Sequence, residues 1–280
     1  MTLWDLVAGS FSAKTENVVA VKFYDSRENP PNVVPLTYKH LLEICDSVVE
    51  VLQNLGVSKE VICIHFDDDQ AEIVGYLPVL LAAVRINCPF HFLSNCDFKE
   101  ALAGVDSRVL VTSKTFDEAA ENIRISDTIV VALFENNRSR SIARSSRSRS
   151  STPSESPDLR DACYLILTSG TTGRSKLVTA TTSSVRPNIL DLCDHLRPAA
   201  SDQVCQVSSC PLTWPQVFLA SPPTFDPHLL DIFLSLAGGS TLLVLPSSCK
   251  AGGGGLYRDL FVSNSVSIIQ VRQHEQGSAS

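Results

Sequence analysis

The stretch that decides the fold lies at residues 164–178 and reads Tyr164-Leu165-Ile166-Leu167-Thr168-Ser169-Gly170-Thr171-Thr172-Gly173-Arg174-Ser175-Lys176-Leu177-Val178. Its first four residues are apolar and predict a buried strand. The strand leads into a loop of Gly, Ser and Thr that ends at Lys176. Glycines let backbone N–H groups point into one concavity, hydroxyl groups add donors, and the lysine supplies a compact cation. The loop is therefore suited to holding the oxygens of a polyphosphate.

This loop does not have the spacing of a Walker-type phosphate loop, which needs four residues between its glycines and then Gly-Lys-Ser/Thr. Gly170 and Gly173 are separated by two residues, and Lys176 follows Ser175. The alternative to a phosphate site is a polar hairpin loop that is rich in Gly and Thr by chance. So many positions with residue types suited to phosphate, directly after a strand, favour the phosphate site over a chance polar loop.

The same stretch resembles the phosphate loop of the adenylate-forming (AMP-binding) superfamily, which includes acyl-CoA synthetases, luciferases and amino-acid-adenylating domains. In that superfamily the pattern is Thr-Ser-Gly-Thr-Thr-Gly, one free position, usually Pro, and then Lys. Ser175 is the one departure from it here. The resemblance implies an α/β fold with layered, parallel-rich sheets flanked by helices, equivalent to the N-terminal part of such an enzyme.

The pattern of the first part of the chain predicts the same fold class. A strand at 17–23 is followed by a helix that begins after Thr37 and stops at Gly56. A buried strand at 61–66 and a second helix at 70–85 come next. Strand, helix, strand and helix in this order indicate an α/β fold with parallel strand pairs.

Changes in composition predict the domain organisation. We expect an N-terminal α/β subdomain at 1–133, an Arg/Ser-rich disordered linker at 134–160, a phosphate-loop subdomain at 161–270 and a divergent polar tail at 271–280. Within the linker, residues 138–150 contain five arginines and one sizeable apolar residue, so they cannot bury enough surface to order themselves. The tract is either a plain linker, which we favour, or a segment that binds acidic partners or RNA.

The resemblance implies a set of site residues. The grip on the β- and γ-phosphates of ATP would be formed by Thr168, Ser169, Gly170, Thr171, Thr172, Gly173 and Lys176, of which Lys176 and Thr171 would be catalytic. Phe225 and Asp226 occupy the place of the family's acid pocket, where the branch that activates amino acids pairs the aspartate with the substrate ammonium group. A carboxylate at an apolar wall favours a cationic amine over a plain fatty tail. Asp226 could equally cap a helix predicted at 229–236.

The function implied by the resemblance is ATP-dependent activation of a carboxylic acid as its acyl-adenylate. ATP and Mg²⁺ are the expected cofactors, and a thiol such as CoA or phosphopantetheine is the expected acceptor. The acid is an amino acid such as beta-alanine, or a fatty acid; the motif Phe225-Asp226-Pro227 is most similar to the beta-alanine-activating branch.

The end of the sequence departs from the family pattern. After residue 270 the Tyr-Gly-x-Thr-Glu element, the ribose-binding aspartate and the C-terminal domain with its catalytic lysine are not found. We therefore expect impaired activation of the acid. The alternative is a catalytically inactive form that acts as a binding or regulatory module.

Composition excludes several other classes. The chain has 280 residues, of which 44% are hydrophobic, so it can bury a large core. A net charge of -7 argues against nucleic-acid binding, and neither a membrane span nor a secretory signal is indicated. Nine cysteines without a CxxC pair predict reduced, buried thiols and a cytoplasmic protein. His65, His91 and His228 lack metal-ligand spacing, so we predict structural roles for them and no metal-ligating residue.

Overall fold

The computed structural model describes residues 2–13, 17–25, 32–66, 72–93, 98–113, 128–132, 142–145, 159, 161–168, 176–196, 203–207, 226–245 and 268–269. Within these ranges the helices are α1 (Trp4–Ala13), α2 (Tyr38–Asn54), α3 (Glu72–Arg85), α4 (Phe98–Gly104), α5 (Thr182–Leu196) and α6 (Asp226–Gly238). The strands are β1 (Val19–Asp25), β2 (Asn32–Thr37), β3 (Ile62–His65), β4 (Phe90–Phe92), β5 (Val109–Thr112), β6 (Ile129–Ala132), β7 (Ile142–Ser145), β8 (Ala162–Thr168), β9 (Lys176–Thr181), β10 (Gln203–Val207), β11 (Thr241–Leu245) and β12 (Ile268–Ile269).

The strands form two sheets. The larger sheet has seven strands in the order β7-β6-β5-β3-β4-β8-β9, and the smaller has five in the order β12-β10-β11-β1-β2. Pairing is parallel throughout except for β6 with β7, β8 with β9 and β1 with β2. The predicted parallel-rich α/β fold is confirmed.

Each sheet takes strands from both subdomains predicted from the sequence. In the smaller sheet β1 pairs with β11, and in the larger sheet β4 pairs with β8. The predicted linker at 134–160 connects β6 to β8, which belong to the same sheet. It also contains a strand, since β7 pairs with β6 over the four residues 142–145, where we expected no ordered structure.

One core joins the two sheets. It includes residues from β1 and β11 of the smaller sheet, from β3, β4 and β8 of the larger sheet, and from α1, α2, α3, α5 and α6. The opposite face of the larger sheet has its own apolar cluster, to which α4 contributes Phe98 and Leu102. The larger sheet is therefore covered on both faces, as parallel sheets are.

The helix predicted after Thr37 is confirmed as α2. The Thr37 hydroxyl accepts a hydrogen bond from the backbone N–H of His40 at 3.2 Å, which satisfies one of the unpaired donors at the helix start. Leu41, Cys45, Val48 and Leu52 form its buried face, at helical spacing. Gly56 ends the helical segment with a φ of 72°, a left-handed conformation that favours glycine.

Gly56→Ala is expected to lower the free energy of unfolding by about 1 kcal/mol, because alanine is strained at this positive φ. Gly9→Ala is the matched control: Gly9 lies inside α1, and no atom lies within 4 Å of the added Cβ. We expect this control to be stabilising by about 0.5 kcal/mol, since alanine has the higher helix propensity. Urea denaturation of both variants measures whether the free energy of unfolding falls for Gly56→Ala and rises for Gly9→Ala.

The sequence analysis did not predict α1 or β2. Leu3, directly before α1, and Val7 and Phe11 within it are buried at a spacing of four, so the helical pattern was present but short. β2 contains Pro35, which argues against a central strand. The structure places β2 at the edge of the smaller sheet, where a proline is tolerated.

Candidate functional site

The carboxyl ends of the parallel strands meet at one edge of the larger sheet. Helix α3 connects β3 to β4 on the face of the shared core, and α4 connects β4 to β5 on the opposite face. In open α/β sheets the crevice outside these carboxyl ends, where connections turn to opposite faces, is the usual ligand site. β8 runs parallel to β4 and ends at Thr168. The predicted phosphate loop therefore leaves the sheet at the edge where a ligand is expected.

The two described ends of this loop face each other across a hairpin. β8 and β9 are antiparallel, and Thr168 is the register partner of Lys176. The Thr168 hydroxyl donates a hydrogen bond to the Lys176 carbonyl oxygen at 3.2 Å, and both residues are exposed. Of the predicted phosphate contacts, Ser169, Gly170, Thr171, Thr172 and Gly173 lie outside the described residues. The connection between β8 and β9 is thus a hairpin. Both the predicted phosphate site and its alternative, a polar hairpin loop, have this geometry.

Strand alternation places Thr168 and Lys176 on a definite face of the sheet. Tyr164 and Ile166 contact the core that the two sheets share, and Thr168 follows them on the same face. Ala180, which pairs with Tyr164, packs against the same core, and Lys176 shares its face of β9. The two described loop ends therefore lie on the face toward α6.

Helix α6 begins at Asp226, before the 229–236 that the sequence predicted. Phe225 and the side chain of Asp226 are outside the described part of the structure. The next residue described in full is His228, whose Nε2 is hydrogen-bonded to the Tyr76 hydroxyl of α3, and both side chains are buried. The His228 ring also packs edge-on against Phe92, with ring centroids 6.5 Å apart.

These contacts place the first turn of α6 at the carboxyl edge of the larger sheet, because Phe92 is the last residue of β4. β4 is the neighbour of β8, and the register pairs His91 with Leu165. Thr168 therefore lies about two residues, or roughly 7 Å along the strand direction, beyond the level of Phe92. The backbone of Asp226 and the end of β8, where the predicted phosphate loop begins, are thus brought to the same edge, on the same face.

A second polar residue of α6 is buried in the core. Asp231 has only 4% of its surface exposed. Burial raises the pKa of its carboxyl group to about 8. At neutral pH the folded protein therefore holds Asp231 mainly in its protonated form.

The other two histidines that we predicted as structural have structural contacts. His65 is buried, with its Nδ1 3.3 Å from the Thr112 hydroxyl. His91 Nδ1 donates to the Leu165 carbonyl oxygen at 2.8 Å, and burial lowers the pKa of its ring.

Cys45, Cys88 and Cys163 are buried thiols outside any disulfide, as predicted. Burial raises the pKa of Cys45 and of Cys163 to about 12, so neither is a thiolate nucleophile.

Tyr76 and Phe92 are the residues of this edge that the sequence analysis missed. Both lie in apolar runs that predict only burial, and Tyr76 is 152 residues from His228 along the chain. No local pattern signals such a contact.

Comparison with known proteins agrees with the fold. The model of the family described as AMP-binding enzyme matches residues 11–265. The chain belongs to the AMP-binding enzyme family. The beta-alanine-activating enzyme of Mus musculus is 30% identical over 308 residues, which cover 96% of the chain and 26% of that relative. The chain thus spans about a quarter of the length of this curated relative.

Two solved structures have the same fold. McyG A-PCP complexed with phenylalanyl-adenylate superposes with a TM-score of 0.67 at 13% identity, covering 96% of the chain and 40% of that structure. The N-terminal subdomain of Klebsiella oxytoca NpsA in complex with 3-hydroxybenzoyl-AMSN superposes with a TM-score of 0.61 at 18% identity, covering 95% of the chain and 58% of that structure. At these identities the likeness concerns the fold of this AMP-binding family member.

Among the residues that the structure describes, no helix is long and apolar enough to span a membrane.

Proposed function

We propose that the chain binds ATP at the loop between β8 and β9 and activates a small amino acid, such as beta-alanine, as its acyl-adenylate. The observation that carries this proposal is the placement of two motifs at one sheet edge. Thr168 and Lys176 flank the loop at the end of β8, and Asp226 begins the helix whose first turn contacts β4 beside it. Membership of the AMP-binding family supports acid activation by adenylation.

In the proposed reaction the substrate carboxylate attacks the α-phosphorus of ATP. A bond forms between a carboxylate oxygen and that phosphorus, the bond to the β-phosphate bridging oxygen breaks, and pyrophosphate leaves. Charge moves onto the β- and γ-phosphates during this step. The ammonium group of Lys176, the hydroxyl group of Thr168 and the donors of Ser169, Gly170, Thr171, Thr172 and Gly173 would stabilise that charge. Thr171 and Lys176 are the proposed catalytic residues.

The acid side of the site is assigned to Phe225 and Asp226. A carboxylate at this place would pair with the ammonium group of an amino acid, and Phe225 would contact its carbon chain. The similarity to the beta-alanine-activating enzyme supports beta-alanine as the first substrate to test.

Family members use ATP together with Mg²⁺, which would neutralise part of the phosphate charge. Among the described residues there is no group of three or more His, Cys, Asp or Glu side chains that could hold a metal ion. We therefore assign no protein ligand to Mg²⁺ and derive no step through it. A thiol such as CoA or a carrier phosphopantetheine is the proposed acceptor of the acyl group.

The test separates nucleotide binding from chemistry. Isothermal titration with ATP and Mg²⁺ is expected to show saturable binding, and ATP–pyrophosphate exchange is expected to increase with beta-alanine more than with propionate. Asp226→Asn should remove that preference, because it deletes the negative charge but keeps the size of the side chain. Binding of ATP without exchange for any acid would support a nucleotide-binding module instead. Absence of ATP binding would overturn the proposal.

A further inference from the structure

The first turn of α6 is held by a buried hydrogen bond from another part of the chain. Tyr76 is 2% exposed and His228 is 6% exposed, and the Tyr76 hydroxyl is bonded to the His228 Nε2. The two rings are tilted against each other with centroids 5.6 Å apart. This bond restricts the relative position of the two side chains, because a hydrogen bond between buried groups is stronger in the core than in water.

An aromatic row continues from this bond to the strand that enters the phosphate loop. The ring centroids of His228 and Phe92 are 6.5 Å apart, those of Phe92 and Phe90 are 5.6 Å apart, and those of Phe90 and Tyr164 are 5.8 Å apart. Tyr76 also packs edge-on against Phe92 at 5.1 Å. Because protein interiors are close-packed and hardly compressible, a shift of one of these rings also shifts its neighbours.

We propose that Tyr76 and His228 are positioning residues that fix the first turn of α6, and with it Asp226, relative to β8 and its phosphate loop. This inference rests on the proposed function, in which Asp226 receives the substrate ammonium group. The acid carboxylate must reach the α-phosphorus while its ammonium group meets Asp226. The position of that turn relative to the end of β8 therefore selects the length of the acid, and small displacements in such sites have large effects on rate.

The chain offers a matched control at the other end of the same helix. The Tyr38 hydroxyl donates to the Ser240 carbonyl oxygen at 2.8 Å, just beyond the C-terminus of α6. Tyr38 is also buried. Tyr38→Phe and Tyr76→Phe each remove one buried hydroxyl group that holds α6, but only the second removes it from the turn that contains Asp226.

The experiment measures the dissociation constants of beta-alanine, 4-aminobutyrate and ATP by equilibrium dialysis with the full chain. Tyr76→Phe and His228→Leu are expected to raise the Kd of beta-alanine about tenfold and to lessen its preference over 4-aminobutyrate, with the Kd of ATP changed less than twofold. His228→Gln, which can still hydrogen-bond to Tyr76, should restore most of the affinity. Tyr38→Phe should leave the Kd of beta-alanine within twofold.

Urea denaturation shows that each variant is folded at the assay temperature, so a general loss of stability cannot imitate the effect. The inference would be overturned if Tyr38→Phe and Tyr76→Phe raise the Kd of beta-alanine equally, or if Tyr76→Phe does not raise it. Asp226→Asn separates it from the proposed function. If Asp226→Asn raises the Kd of beta-alanine and Tyr76→Phe does not, the positioning role fails while the amine contact stands. If Asp226→Asn leaves the Kd of beta-alanine unchanged, the amine contact of the proposed function fails, and the positioning of Asp226 for that contact fails with it.

Discussion

Lys176→Ala is expected to raise the Kd for ATP between about tenfold and a hundredfold. A hydrogen-bonded contact between a charged donor and a phosphate oxygen contributes about 1.5 to 3 kcal/mol, and each 1.4 kcal/mol changes affinity tenfold. Lys176 is exposed at the start of β9, so its removal should change the free energy of unfolding by less than about 0.5 kcal/mol. Isothermal titration with ATP and Mg²⁺ measures the affinity.

Two further variants test whether the effect belongs to the phosphate contact. Lys99→Ala removes an exposed lysine from α4, on the opposite face of the larger sheet, and should leave the Kd for ATP unchanged. Lys176→Arg keeps the charge but not the compact ammonium group, so we expect a partial loss. The wild-type affinity should also fall with added salt more steeply than that of Lys176→Ala. Equal affinities of Lys176→Ala and Lys99→Ala for ATP would reject the phosphate loop.

The predictions from sequence that the structure bears out are those with a local physical cause. The strand that leads into the predicted phosphate loop was predicted from four successive apolar residues and is found as β8. The start of α2 was predicted from the N-cap Thr37 and its end from Gly56, because a cap and a left-handed turn each depend on one residue.

The arrangement of the site depends on contacts that no local pattern contains. The sequence predicted Asp226 and Lys176 separately, by resemblance, but not what brings their elements to one edge. That depends on β8 pairing with β4 on the side opposite β9, although β5, β6 and β7 lie between β4 and β8 in sequence, and on the contact of Tyr76 with His228. Hydrophobic periodicity predicts that a face is buried, but many partners can bury it equally well.

The largest expected effect on stability is at Asp231. In the unfolded chain its carboxyl group has a pKa near its ordinary value of 3.8, and in the folded protein burial raises that pKa to about 8. Below about pH 4 both states hold the proton, so the group does not oppose folding there. Between those two pKa values the folded state binds more protons than the unfolded state. The free energy of unfolding therefore falls as pH rises through this window and becomes constant above it.

Asp231→Asn should remove this loss of stability, because an amide of the same shape does not ionise. At pH 8 the variant is expected to be more stable than wild type by about 3 to 5 kcal/mol, and near pH 4 the two should be similar. Urea denaturation at pH 4, 6 and 8 measures the free energy of unfolding of both proteins. The contribution of all other titrating groups cancels in the difference between the two values. Asp194→Asn, at an exposed position on α5, is the control and should follow wild type at every pH. A constant difference between Asp231→Asn and wild type across these pH values would show that Asp231 is ionised in the folded core, and the buried carboxyl would then need a compensating positive partner.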